Sequence, residues 1–230
     1  MNNWFSYVFM KSVALSSSEL KQMCLTGSVL EQDERGIKVI QLSSGDILKI
    51  FRVKRFVSGA NLYSYARRFC RNAVRLHRLG IPTVTIKQLY QLDNNESAVL
   101  YQPIEGSTLK QLAHNGQFDI TLAERLGVFL AELHRKGIHF HSLHTGNVVV
   151  MSNGQLGLID ISDLTIYPWA LFCNTRVRSF KRLCRYPEDI QKLGWVFWQQ
   201  LLANYFQSSQ LSQRCELFIK QATLNIRVFS

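Results

Sequence analysis

Two oxygen-bearing side chains, those of Asn147 and Asp160, flank a predicted β-hairpin. Apolar runs at 148–151 and 156–159 are joined by a turn that contains Asn153-Gly154. An Asn-Gly turn between two short β-rich runs is a hairpin signal. Asn147 would begin one strand and Asp160 would end its partner, so the two side chains can meet at one end of the hairpin. An amide oxygen beside a carboxylate suits Mg²⁺, which keeps several waters and binds one or two carboxylates plus substrate phosphates.

The sequence around this hairpin resembles that of protein-kinase-like enzymes. Ser142-Leu143-x-x-x-Asn147 followed by Leu158-Ile159-Asp160 is similar to the kinase catalytic loop and metal-binding turn. More narrowly, GIHFHSLHTGN and LIDISDL resemble the bacterial lipopolysaccharide kinase group, the InaA-like enzymes related to the core-heptose and Kdo kinases. The chain departs from the family where Ser142 replaces the catalytic Asp and where Ile161-Ser162 replaces Phe-Gly. Without the resemblance, the same residues would also fit an ordinary buried hairpin with polar caps.

The resemblance implies an α+β, two-lobed protein-kinase-like fold. The small N-lobe would hold an antiparallel sheet with one helix, and the C-lobe would be compact and mainly helical. ATP and Mg²⁺ would be the cofactors, with Asn147 and Asp160 as the metal ligands. Lys49 would contact the α- and β-phosphates, and the Gln102 carbonyl and Ile104 N–H would bond the adenine. We predict an N-terminal extension at 1–26, an N-lobe at 27–102 and a C-lobe at 103–230.

The catalytic loop needs a substitute for the missing Asp if the chain is an enzyme. His141, His144 and Asp163 are the nearby groups that could take its place. His144 lies two residues after Ser142, and a neutral imidazole with an unperturbed pKa of about 6.5 can act as a base. His144 could equally cap the loop by hydrogen bonding, which is the interpretation that we favour. Asp189, in a segment that resembles the start of a kinase C-lobe helix, would hold the loop backbone.

The elements that must position these groups can be read from the pattern of apolar residues. Three short strands joined by tight turns, up to 47–51, predict an antiparallel meander, and 83–91 and 98–101 predict two more strands. Lys49 lies in the third strand and either contacts phosphate or points to solvent from a sheet edge. The basic helix predicted at 59–79 has no acidic residue, so Lys49 would need a partner other than the Glu that this helix offers in kinases. The apolar face of the helix predicted at 59–79 comprises Leu62, Tyr65, Ala66, Phe69, Ala73, Leu76 and Leu79.

Helical periodicity dominates the second half of the chain. We predict helices at 108–115, 121–136, 189–206 and 210–222. Trp195 and Val196 are expected on the buried face of the third of these helices. His134, near the end of the second, is expected to be a surface or capping group. A basic run from Arg176 to Arg185 is either a solvated helix face or a docking site for a phosphorylated acceptor.

Composition narrows the class of protein and the kind of partner. The chain has 230 residues, 47% of them hydrophobic, and a net charge of +11, which favours anionic partners. No apolar run approaches the roughly 18 residues of a membrane span, and no secretory signal is expected. The five cysteines are scattered and odd in number, so we expect neither a disulfide framework nor a zinc site, and a reducing cytoplasm fits better.

Two functions from different classes fit these observations. The first is a cytoplasmic kinase that transfers the ATP γ-phosphate to a hydroxyl of a lipopolysaccharide-core sugar, with peripheral contact to the inner membrane face. The alternative is a pseudokinase that binds a partner, with or without nucleotide, and catalyses no transfer. The family's catalytic-loop Asp and N-lobe helix Glu are missing from the sequence, which favours the pseudokinase. Lys49, Asn147 and Asp160 are retained, which favours the kinase. A third and weaker option is RNA binding by the basic face.

Overall fold

The computed structural model describes residues 11–52, 65–93 and 96–224. The chain divides into two compact units, Met1–Ile104 and Glu105–Ser230. Within the described residues, the first unit is built on a six-stranded sheet and the second is mainly helical with two small sheets. The α+β class and the kinase-like order of elements expected from the sequence are therefore confirmed.

The six-stranded sheet of the first unit has the order β1-β5-β6-β4-β3-β2. Antiparallel pairing of β2, β3 and β4 confirms the predicted meander. At the other edge, β1 pairs in parallel with β5, in a stretch expected to be an extension. The elements of this unit are β1 (Val13–Leu15), α1 (Ser17–Thr26), β2 (Ser28–Asp33), β3 (Gly36–Gln41), β4 (Ile47–Phe51), α2 (Tyr65–Arg78), β5 (Thr85–Leu92) and β6 (Ser97–Gln102).

Helix α2 buries one face and presents its arginines on the others. Ala66, Phe69, Ala73 and Leu76 are buried as predicted, whereas Tyr65 is 57% exposed. The periodic pattern assigned Tyr65 to the core. In the structure it is the first residue of the described helix, and its side chain is exposed to solvent. The first six residues of the predicted helix, with Leu62, lie outside the described part of the chain. Gly80, at φ 71°, follows the end of the helix.

The second unit contains two small sheets among five helices in the part of the chain that the structure describes. The sheets have the strand orders β10-β9-β7 and β11-β8. The elements are β7 (Ser107–Thr108), α3 (Leu109–Asn115), α4 (Ile120–Arg135), β8 (Ile138–Phe140), β9 (Val148–Val150), β10 (Leu156–Leu158), β11 (Leu164–Ile166), α5 (Cys173–Leu183), α6 (Pro187–Ser209) and α7 (Gln213–Leu224).

Helices α4 and α6 form the core of the second unit. Asp119 caps α4 by accepting the backbone N–H of Leu122 at 2.8 Å. Gly127 allows the two helices to approach closely, because a Cβ at this position would lie 2.4 Å from the Leu201 carbonyl oxygen. Leu126 and Leu130 are buried on the same side of α4. This packing fixes the end of α4 and therefore the start of the loop that follows it.

Helix α6 is interrupted at Gly194, which has φ 80° and ψ 165°. Trp198 and Tyr205 are buried beyond the kink. Trp195 and Val196 are 39% and 69% exposed, so their assignment to the core was wrong. The prediction assumed one continuous helix, whereas the kink changes which residues after Gly194 face the core.

Cys173 and Cys215 form a disulfide that links α5 to α7. The expectation of no disulfide was therefore wrong. The two cysteines are 42 residues apart in the sequence, and no spacing motif marks them as a pair. Their Cα atoms lie 5.7 Å apart, a distance typical of disulfides.

Candidate active site

The predicted hairpin is present and brings Asn147 and Asp160 to the same end. Strands β9 and β10 pair with Val148 opposite Leu158. One residue further along, the Ile159 N–H donates to the Asn147 carbonyl at 3.1 Å. Asn147 thus immediately precedes the first strand, and Asp160 lies two residues after the end of the second, close to the positions that the sequence indicated.

Asn147 is held with its amide nitrogen turned into the loop. The residue is buried, and Nδ2 donates to the Ser142 carbonyl at 2.8 Å. Because the nitrogen is used in this way, the Oδ1 oxygen is the atom that can reach a cation. The predicted role as a metal ligand is compatible with this orientation.

Asp160 has an unusual backbone conformation. Its φ of 52° and ψ of 45° place it in the left-handed region, and its side chain is exposed. Non-glycine residues adopt this region rarely, with Asp and Asn among the more tolerant, and such residues cluster at functional sites. A 3₁₀ turn, Ile161–Asp163, follows at once and leads into β11.

The donor set at the hairpin end fits Mg²⁺. One amide oxygen and one carboxylate are hard ligands, and Mg²⁺ usually takes one or two carboxylates and completes its shell with water and phosphate. Among the described residues no group of three or more His, Cys, Asp or Glu side chains could hold a metal.

A carboxylate lies beside the position of the missing catalytic Asp. The Ser142 hydroxyl donates to Asp163 Oδ2 at 3.3 Å. The backbone supports this contact, because the His141 N–H donates to the Asp163 carbonyl at 3.0 Å. We call Ser142, Asn147 and Asp163 the loop cluster.

His144 caps the loop. Its Nδ1 accepts the Gly146 N–H at 3.1 Å, and its ring packs edge-on against Tyr186 with centroids 5.2 Å apart. Partial burial lowers the pKa of His144, although the carboxylates of Asp160 and Asp189 act in the opposite direction. The capping interpretation favoured from the sequence therefore matches the observed hydrogen bond.

Asp189 holds the loop in place through hydrogen bonds of its side chain. It is fully buried, and it accepts hydrogen bonds from the Thr145 hydroxyl and, at 3.0 Å, from His114 Nε2. Burial alone would raise the pKa of Asp189, but these two hydrogen bonds, together with the nearby charges of Lys110 and His114, lower it. Asp189 thus holds the loop as predicted, through the side chain of Thr145 where a backbone contact was expected.

Arg182 joins two histidines on the other side of the loop, a contact that sequence reasoning missed. Its Nη1 donates to His139 Nε2 at 2.9 Å and to His141 Nδ1 at 3.1 Å. Burial, with His141 and Arg182 nearby, lowers the pKa of His139 to about 4. The available signal was the His-x-His spacing, because alternate residues of an extended segment share a face.

His134 belongs to a buried polar group, so its assignment to the surface was wrong. Its Nδ1 lies 2.8 Å from the Tyr205 hydroxyl, which also accepts from Arg176 Nη1 at 3.0 Å. Arg176 Nε donates to the Leu171 carbonyl at 2.8 Å. Burial lowers the pKa of His134 to about 3, so the ring is neutral. We call His134, Arg176 and Tyr205 the deep cluster.

In the first unit, Lys49 lies on a central strand between β3 and β6. Its exposure is only 8%, so the alternative that it points to solvent from a sheet edge was wrong. The ammonium lies 5.7 Å from the ring centroid of Phe51 and 6.0 Å from that of Phe69 on α2. Within this range an aromatic face attracts a cation. Two aromatic rings thus lie close to the ammonium of Lys49.

The predicted adenine-binding residues lie at the end of the first unit. Gln102 ends β6 and is exposed, and Ile104 is the last residue before the boundary with the second unit. Strand β6, which the sequence predicted, therefore ends at Gln102, two residues before Ile104. Contact with a nucleotide remains a prediction.

Comparison with known proteins gives a limited likeness. No family model and no curated protein matches the chain. Three solved structures of WbdD, one described as a bifunctional kinase-methyltransferase and one containing the kinase inhibitor LY294002, are similar to it. Their TM-scores are 0.49, 0.46 and 0.48 at identities of 14%, 15% and 14%.

These similarities cover most of this chain but only part of each WbdD structure. The covered share is 81%, 82% and 80% of this chain, and 48%, 46% and 47% of the WbdD chains. The chain therefore spans about half the length of these neighbours. Since every TM-score is below 0.5, no functional conclusion depends on them.

Proposed function

We propose that this chain is a kinase of the InaA-like lipopolysaccharide kinase type. It would transfer the γ-phosphate of ATP to a hydroxyl of a lipopolysaccharide-core sugar. The observation that carries the proposal is the hairpin end, where an exposed Asp160 in a left-handed conformation follows β10 and Asn147 immediately precedes β9. Two hard oxygen ligands at one end of the hairpin suit a magnesium-bound nucleotide. A turn with only a structural role would not need both of them.

Different residues would bind the metal, the phosphates and the adenine during phosphoryl transfer. Asn147 Oδ1 and the Asp160 carboxylate would hold Mg²⁺, which supplies neutralisation of the charge on the phosphates. By the resemblance, Lys49 would bind the α- and β-phosphates, and the Gln102 carbonyl and Ile104 N–H would bind the adenine. Because the transition state is usually loose, positioning and charge stabilisation carry most of the catalysis.

The acceptor is proposed to be anionic. Three exposed cations, Arg178, Lys181 and Arg185, lie on or just after α5, and the whole chain carries +11. A phosphorylated glycan or an anionic membrane face would complement this charge. Cytoplasmic location with peripheral contact to the inner membrane therefore stays part of the proposal.

The Cys173–Cys215 disulfide is a bond that persists in oxidising environments, so the cysteines do not indicate a reducing compartment. Among the described residues, no helix combines the length and apolar character needed to cross a bilayer.

A second candidate function, a pseudokinase that binds a partner, is favoured by one observation. Ser142 stands where the resemblance implies a catalytic carboxylate. Such a protein would bind its partner with or without nucleotide. Nucleotide binding combined with phosphoryl transfer separates the two functions.

Calorimetric titration of ATP, with and without Mg²⁺, tests the metal–nucleotide site. The wild type should bind ATP in a Mg²⁺-dependent manner, and Asp160→Ala should weaken binding by at least about 100-fold, since a metal contributes several kcal/mol. Asp119→Asn is a matched control, because Asp119 is an exposed helix cap and Asn caps equally well. No binding by the wild type would contradict the kinase proposal and leave a partner-binding scaffold.

A further inference from the structure

The proposed reaction needs a group that takes the proton from the acceptor hydroxyl, and position 142 offers only a serine. We propose that Asp163 is that proton acceptor, supplied by the 3₁₀ turn that leads into β11. This inference rests on the proposed kinase function and assigns one of its catalytic residues. The loop carboxylate of the family would thus be replaced by a carboxylate 21 residues further along the chain.

The backbone fixes Asp163 beside the loop. Strand β11 pairs with β8, with Leu164 opposite Phe140. The register continues one step further, where the His141 N–H donates to the Asp163 carbonyl at 3.0 Å. Ile161 and Leu164, on either side of Asp163, are buried and anchor the short turn. Residue 163 is therefore held against residues 141 and 142 by two strands.

The side chains agree with this placement. The Ser142 hydroxyl donates to Asp163 Oδ2 at 3.3 Å, and both residues are half-buried. The side chain of serine is shorter than that of Asp. Ser142 therefore leaves room beside the loop for the carboxylate of Asp163, which comes from the turn before β11. Two carboxylates at this distance would repel each other, and one of them would be driven toward its neutral form. The presence of Asp163 thus gives a physical reason for the serine at position 142.

The two histidines of the loop are less well placed for this role. His141 accepts from Arg182 at Nδ1 and contacts the Thr165 hydroxyl through Nε2 at 3.2 Å, so both ring nitrogens are engaged. His144 uses Nδ1 to cap the loop. Asp163 is the group among the three that contacts the side chain at the vacated position.

The step balances without any further reactant. The oxygen of the acceptor hydroxyl forms a bond to the γ-phosphorus, and the bond from that phosphorus to the bridging oxygen breaks, leaving its electron pair on ADP. The hydroxyl proton passes to the Asp163 carboxylate. Because this side chain is only half-buried, the proton can then return to solvent.

A reciprocal exchange of the two residues tests the assignment. We would measure kcat and KM for ATP with dephosphorylated lipopolysaccharide core as the acceptor, and ATP binding by calorimetry. Asp163→Asn should lower kcat about 100-fold, within the range of general-base catalysis, while KM for ATP changes little. Adding Ser142→Asp to Asp163→Asn should restore kcat to within about tenfold of the wild type, because a carboxylate returns to the loop.

The controls separate this inference from the proposed function. Asp119→Asn should leave both constants unchanged, and thermal melting should show that each variant is folded. A wild-type kcat in Asp163→Asn, or a double variant no faster than Asp163→Asn alone, would overturn the assignment. So would a wild type that binds Mg·ATP without transferring phosphate, which would favour the pseudokinase. Failure of the wild type to bind ATP would instead reject the proposed function itself.

Discussion

The deep cluster and the loop cluster are both polar, and both link segments that are distant in the sequence. His134, Arg176 and Tyr205 are buried and hydrogen-bond mainly to one another. In the loop cluster, Ser142 and Asp163 are half-buried, and Asn147 is next to the exposed Asp160. Hydrogen bonds of the same kind are therefore enclosed in one cluster and partly open to solvent in the other.

The difference suggests a division between stability and chemistry. A buried polar network contributes to stability only when its members are satisfied, and removing one member leaves a costly unpaired group. An open cluster loses less when a contact is removed, because water can replace it. We therefore expect changes near the deep cluster to alter unfolding, and changes in the loop cluster to alter catalysis.

The largest effect on stability is expected from the disulfide at the start of α5, the helix that carries Arg176. Cys173→Ser should lower the free energy of unfolding by about 4 kcal/mol in the chain-entropy estimate for 42 residues. Urea titration under oxidising conditions measures this change, with Cys24→Ser as the control at an unpaired cysteine. Nucleotide affinity should remain unchanged. A large loss of affinity in folded Cys173→Ser would break the proposed division.

Acidification should destabilise the fold through its buried histidines. The pKa of His134 in the fold is about 3 and that of His139 about 4, below the ordinary 6.5. Below pH 6.5 these histidines bind protons in the unfolded chain but stay neutral in the folded chain. The free energy of unfolding therefore falls as the pH is lowered, down to about pH 4 for His139 and about pH 3 for His134.

Each proton costs about 1.4 kcal/mol per pH unit, so His134 alone should remove about 3 kcal/mol by roughly pH 4.5. Urea titrations across this pH range measure the slope. His134→Gln should reduce the slope by about one proton. An unchanged slope in that variant would show that His134 does not cause the acid sensitivity.

Removal of a single hydroxyl from the deep cluster should have a smaller effect. Tyr205→Phe takes away the group that contacts both His134 and Arg176, and should cost about 1–3 kcal/mol, the penalty for leaving buried polar groups unsatisfied. Chemical denaturation measures the loss, and ATP titration of the same variant should match the wild type. A neutral result would mean that water replaces the hydroxyl.

The smallest effect on stability is expected from the loop cluster. Ser142→Ala removes one half-buried hydrogen bond and should change the free energy of unfolding by less than about 1 kcal/mol. If Ser142 orients Asp163, kcat should nevertheless fall a few-fold while KM for ATP stays constant. Ser142→Thr keeps a hydroxyl and should retain most of the wild-type kcat. Large destabilisation by Ser142→Ala would erase the contrast between the clusters.

Local pattern was sufficient to predict much of the fold. The hairpin that ends at Asp160 follows from an Asn-Gly turn between apolar runs, and α4 follows from helical periodicity and ends before Gly137. Each of these signals lies within one short segment. The resemblance to kinases added the order of the elements and the residues of the candidate site.

Contacts between distant segments could not be predicted in this way. His134 was assigned to the surface because its partner Tyr205 lies 71 residues away. Cys173 and Cys215 carried no spacing motif, and the burial of Lys49 between aromatic rings depends on strand order. Asp163 was one of three candidates, and only the pairing of β8 with β11 placed it next to Ser142.

The short strand β1 has a practical consequence for recombinant work. By pairing with Tyr90, Gln91 and Leu92, it covers part of the outer backbone of β5. A version shortened to begin at Gly27, where the kinase-like pattern first becomes visible, would expose that backbone as an unpaired sheet edge. Exposed edges recruit other strands, so such a truncation should promote dimers or aggregates. Expression trials should therefore retain the residues from Val13 onward.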